Sequence, residues 1–109
     1  MIYTTNPNGS DLVNAEYDSV EFTLNNGETN YDLDANQAGF KNNVKKVYYI
    51  EIYTTHNISI KFNSTSNDSI SIPSTDSPRK FHLQEISNIY LSNSSGSNSS
   101  VRMYIKGDA

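Results

Sequence analysis

The chain has 109 residues, 35% of them hydrophobic, and no cysteine, which suits one domain and excludes disulfide frameworks, cysteine-ligated zinc and thiol catalysis. Its net charge is −4, and the basic residues come in small groups (Lys41 with Lys45 and Lys46, Arg79 with Lys80), so the extended positive footprint of a nucleic-acid-binding protein is not expected. Serine and asparagine fill more than a quarter of the positions, but eight tyrosines, four phenylalanines and regularly alternating isoleucines argue for a folded chain over a disordered one.

In chain order, the opening Met1-Ile2-Tyr3-Thr4-Thr5-Asn6-Pro7 has neither the basic nor the apolar region of a secretory signal, so no Sec signal is expected. Asn6 to Ser10 is a turn cluster and Asp11 to Asp18 has no clean period, so residues 1–18 are expected to form an extended N-terminal arm, with a single domain over 19–109. Ser19 to Leu24 reads as a strand ended by the turn signal Asn25-Asn26-Gly27, and Asn30 to Leu33 as a weaker strand. Asn36 to Lys46 is the one stretch that could hold a helical turn or a loop.

Period-two alternation then dominates. In Val47 to Tyr53 the set Tyr48, Ile50, Ile52 faces one way and Val47, Tyr49, Glu51, Tyr53 the other. Ile58, Ile60 and Phe62 are inward in the next strand, Ile70 and Ile72 belong to a short one, and Pro73 ends it. Phe81 and Leu83 are expected inward, as are Ile89 with Leu91 and, after a polar loop from Asn93 to Ser99, Val101, Met103 and Ile105. The pattern predicts an all-β fold, an antiparallel β-sandwich of about eight strands. Without the Cys and Trp marks of immunoglobulin domains, a jelly-roll-like winding is preferred. The longest apolar runs reach three or four residues, so no membrane span is expected.

The chemistry-bearing motifs are few. Asp32-Leu33-Asp34-Ala35-Asn36 matches the first half of an EF-hand loop, but Gln37 replaces the required glycine and Asn43 the bidentate glutamate, so no metal site is expected. Ser77-Pro78-Arg79-Lys80 fits S-x-x-K, a motif that works from a helix start, whereas Pro78 leads into a strand. His56 falls in a turn and His82 on an outward strand position. No catalytic residue and no cofactor are therefore expected, and the six N-x-[ST] sequons (Asn8, Asn57, Asn63, Asn67, Asn93, Asn98) follow from the asparagine and serine richness. Tyr49, Tyr53, Tyr90 and Tyr104 all fall on outward positions, and that many aromatics outside one small domain point to a covered surface, an interface with another subunit.

Two stretches carry a resemblance. Tyr48-Tyr49-Ile50-Glu51-Ile52 leads into Asn57-Ile58-Ser59-Ile60-Lys61-Phe62-Asn63-Ser64-Thr65-Ser66-Asn67-Asp68. Ile86-Ser87-Asn88-Ile89-Tyr90-Leu91-Ser92-Asn93-Ser94-Ser95-Gly96 is followed by Val101-Arg102-Met103-Tyr104-Ile105. Together, over roughly residues 44–107, these resemble the small β-sandwich virion proteins of tailed phages, the head-decoration and auxiliary capsid proteins, in style and without a diagnostic motif. The resemblance implies a structural virion protein, made in the host cytoplasm, bound to the major capsid protein or another virion protein as a homo-oligomer (trimer favoured), with no cofactor. A carbohydrate-binding or adhesin-like module using surface tyrosines is the alternative.

Overall fold

A computed structural model describes residues 15–109. Eight strands run β1 (Ala15–Leu24), β2 (Tyr31–Asp32), β3 (Lys46–Thr54), β4 (Ile58–Phe62), β5 (Ile70–Ile72), β6 (Arg79–Ile86), β7 (Ile89–Ser92) and β8 (Ser99–Asp108). They form two antiparallel four-stranded sheets, ordered β1-β8-β3-β6 and β2-β7-β4-β5. The pairing has a simple generator. β4 pairs with β5, β3 with β6, β2 with β7 and β1 with β8, so the chain is one long ribbon folded back at the β4–β5 turn. Winding that ribbon brings β8 beside β3 and β7 beside β4, closing the two sheets. This is the jelly-roll winding of an antiparallel sandwich.

Between the sheets lie Ile50, Ile52, Val101, Met103 and Ile105 from one side and Ile58, Ile60, Ile72, Ile89 and Leu91 from the other, all buried. Phe62 is half-buried at the margin, edge-on to Phe81 with ring centroids 5.0 Å apart. Alternation positions these side chains because a strand shows successive residues to opposite faces. It fails in two places. Val47, expected outward, is fully buried, because the register of β3 slips between Val47 and Tyr49 and returns both Val47 and Ile50 to the inner face. Across the same slip, β6 has three residues (Leu83 to Glu85) between its paired positions His82 and Ile86, where β3 has only Tyr48. β6 arches outward there, so Leu83, expected in the core, is 38% exposed.

Part of the span assigned to the arm belongs to the sandwich. Residues 15–18 are the first part of β1, paired with β8 from Ala15↔Asp108 onward, and residues 1–14 lie outside the described residues. The period was hidden because an inward position carries Asp18, which is buried. Its carboxylate accepts from the backbone N–H of Asn43 and of Val44, both at 2.9 Å. These bonds hold the loop of residues 37–45 against β1. The approach is close: a Cβ on Gly39 would meet Val20 Cγ1 at 2.9 Å and the Ser19 carbonyl oxygen at 3.2 Å. The short helix falls earlier than expected, at Leu33–Asn36 (α1), because Asp32 caps it by accepting from the Ala35 N–H at 3.2 Å.

Candidate functional site

Three rows of outward side chains cross the middle of β1, β8, β3 and β6, between the Thr23–Ser100 pair at one end and the Lys46–Asp108 pair at the other. The first is Glu21–Arg102–Tyr53, the second Ser19–Tyr104–Glu51–Lys80, and the third Tyr17–Lys106–Tyr49–His82. Read together, the rows form a lattice in which rings and cations alternate. Arg102 lies over the Tyr53 ring at 4.5 Å from its centroid and reaches Tyr104 at 5.8 Å, while Lys106 lies over Tyr49 at 5.4 Å. Tyr53 and Tyr104 meet edge-to-face at 5.9 Å, and His82 sets its ring edge against Tyr49 at 4.6 Å. Such contacts fix long side chains in place and lower the entropy lost when a partner covers them.

Glu51 stands at the centre. Its carboxylate accepts from the Tyr53 hydroxyl at 2.7 Å and the Tyr49 hydroxyl at 2.8 Å. Those two bonds, with the Lys80 and Lys106 charges adding to them, hold the Glu51 carboxyl below its ordinary range. The phenols move the other way. Burial and the bond to Glu51 push Tyr49 up to about 12, and the bond to Glu51 raises Tyr53.

Of the four outward tyrosines expected to form an interface, Tyr49, Tyr53 and Tyr104 share this face. Tyr90 does not. It lies on β7, between Asp32 and Lys61 in the other sheet. Its outward position was legible, but alternation within a strand does not say which sheet the strand joins. Tyr17 takes its place. At 69% exposed it is the most open aromatic of the face, and only its assignment to the arm concealed it.

The other motifs have structural employment. Asp32 is the cap of α1, Asp34 is exposed, and among the described residues no group of three His, Cys, Asp or Glu could hold a metal ion. Ser77 Oγ accepts from the Thr54 N–H at 3.1 Å, and Lys80 stands on β6 opposite Glu51, so the S-x-x-K spacing is not carried on a helical turn. The His56 N–H donates to Ser99 Oγ at 3.1 Å beside the buried Thr54–Ser99 hydroxyl pair.

The five sequon asparagines among the described residues, Asn57, Asn63, Asn67, Asn93 and Asn98, all bond backbone through their side chains, Asn93 and Asn63 several times each. Asn93 is fully buried; its Nδ2 donates to the carbonyls of Leu24 and Ser97, and its Oδ1 accepts from Ser95. Asn63 Oδ1 accepts from the Ser87 N–H at 2.7 Å and its Nδ2 donates to the Glu85 carbonyl.

The chain matches no known protein-family model, and comparisons with curated proteins and with solved structures find no match.

Proposed function

We propose that this chain is a structural virion protein, of the capsid-decoration or auxiliary head type, which docks on a neighbouring protein of the particle through the outer face of β1-β8-β3-β6. The observation that carries the reading is the make-up of that face: four tyrosines and an arginine interleaved on a rigid sheet. Tyrosine and arginine are the residues most enriched where proteins bind one another, and they dominate the energetics when covered. The winding adds support, since jelly rolls recur in viral capsid and lectin domains, although a fold alone does not assign a function. The partner is the major capsid protein or another virion protein, with closed self-association, a trimer favoured, as the accompanying contact.

A second reading, a carbohydrate-binding or adhesin-like module, draws on Tyr17. Among the described residues no cation lies over its ring, so it offers an open aromatic plane to a sugar. Tyr49 and Tyr53 are less suited, because Lys106 and Arg102 already cover one face of each.

Quantitative mass spectrometry of purified particles, with native mass spectrometry of the isolated chain, tests the proposal. The expected result is the chain at many copies per particle and a discrete oligomer in solution. A strictly monomeric chain that is missing from particles overturns it.

A further inference from the structure

We infer that the surface docked on this face is an acidic protein surface, whose carboxylates pair with Arg102, Lys106 and Lys80; the inference rests on the proposed docking role. The three rows hold those three cations, with His82 beside them, against two carboxylates, Glu21 and Glu51, on a chain whose net charge is −4. The face is therefore positive where the molecule is negative.

Among the described residues its own acids offset it only in part, Glu51 feeling the Lys80 and Lys106 charges without an ion pair to either. The ion pair found among the described residues is Arg79–Asp76, outside the rows, so Arg102, Lys106 and Lys80 have none there. Glu21 is the register neighbour of Arg102 yet makes no ion pair with it, and both oxygens of Glu51 are taken by tyrosine hydroxyls.

Covering the face with a neutral or basic surface would strip water from three cations and return nothing, at a cost that rises with burial. Carboxylates return charged hydrogen bonds, and Arg102, held between two rings, is oriented to donate them with little further loss of freedom. The proposal selects protein over other polyanions for two reasons. Cations lie over the rings of Tyr49 and Tyr53, which leaves Tyr17 as the open stacking plane of the face, and one ring is few for a run of sugars or bases. Three cations are also few for a nucleic-acid backbone.

The test is an amide and side-chain NMR titration of the full chain with poly-L-glutamate, with poly-L-lysine, oligo(dT) and polygalacturonate as comparison probes. Poly-L-glutamate is expected to shift Arg102 Nε, the Lys80 and Lys106 side chains and the amides of β8 and β3, with an affinity that falls as salt rises. Arg102→Gln or Lys106→Gln, both exposed, should each weaken it about tenfold, the value of one charged hydrogen bond. Shifts elsewhere, equal binding by the variants, or tighter binding of oligo(dT) or polygalacturonate would overturn the inference. If poly-L-glutamate leaves the face untouched while a Tyr53→Ser chain fails to join particles, the acidic partner falls and the docking role stands. If particle attachment is also indifferent to Tyr53→Ser, both fall.

Discussion

A carboxylate that accepts from two phenols is favoured as an anion, and the phenols are correspondingly favoured as neutral groups. Glu51 is lowered in the folded chain, so its contribution to stability is complete above the ordinary carboxylate range and is lost as pH falls from there through the lowered folded value. Tyr49 is raised to about 12, so its contribution is complete below the ordinary phenol value near 10 and is lost as pH rises through about 12. Thermal melts should show Glu51→Gln removing part of the acid-side loss of stability. An ultraviolet titration should show two late-ionising tyrosines in the parent, Tyr49 and Tyr53, that both move earlier in Glu51→Gln. At Gly107 the constraint is steric: a Cβ would fall 1.8 Å from the Lys46 carbonyl oxygen, which is backbone and cannot step aside. Gly107→Ala is expected to separate β8 from the start of β3 and to yield little folded protein, read by near-ultraviolet circular dichroism and solubility. The need for glycine there is invisible in the sequence, because it arises from a strand that lies sixty-odd residues away.

At the scale of the element, β1 is an edge strand of ten residues, and such edges invite unwanted pairing unless covered. The loop of residues 37–45 covers part of it, tied by the Asp18 carboxylate to the amides of Asn43 and Val44. Asp18→Ala would leave those amides without their acceptor, and buried unpaired donors cost about 1–3 kcal/mol. The expected outcome is that loss in denaturant stability, with faster hydrogen exchange at Asn43 and Val44. Strands such as β3, β4 and β8 were legible because one face is apolar and the other polar, so period two stands out. β1 was half legible for the same reason: Val20 and Leu24 keep the period, and Asp18 breaks it at an inward position. The outward arch of β6 was not legible, since it depends on a register slip set by pairing with β3 and not by Leu83 itself.

At the scale of the whole molecule, the fold is one ribbon wound into two sheets, and almost all of the aliphatic side chains among the described residues meet in a single core. Ile60 and Met103, from opposite sheets and fully buried, should each cost ~2–5 kcal/mol on truncation to alanine. Chemical denaturation with unchanged slope would check this. The sandwich was legible from alternation, but the composition of the outer face of β1-β8-β3-β6 was not. Which outward tyrosines become neighbours depends on β8 settling between β1 and β3, and that separates Tyr90 from Tyr49 while joining Tyr17 to it. The central claim is that something in the particle covers these rings. Hydroxyl-radical footprinting of the chain, free and within purified particles, measures that directly. Docking through the outer face predicts that Tyr17, Tyr49, Tyr53 and Tyr104 are protected in the particle while Tyr90 labels as in the free chain. Equal labelling of the four in both states, or protection centred on Tyr90, would contradict it.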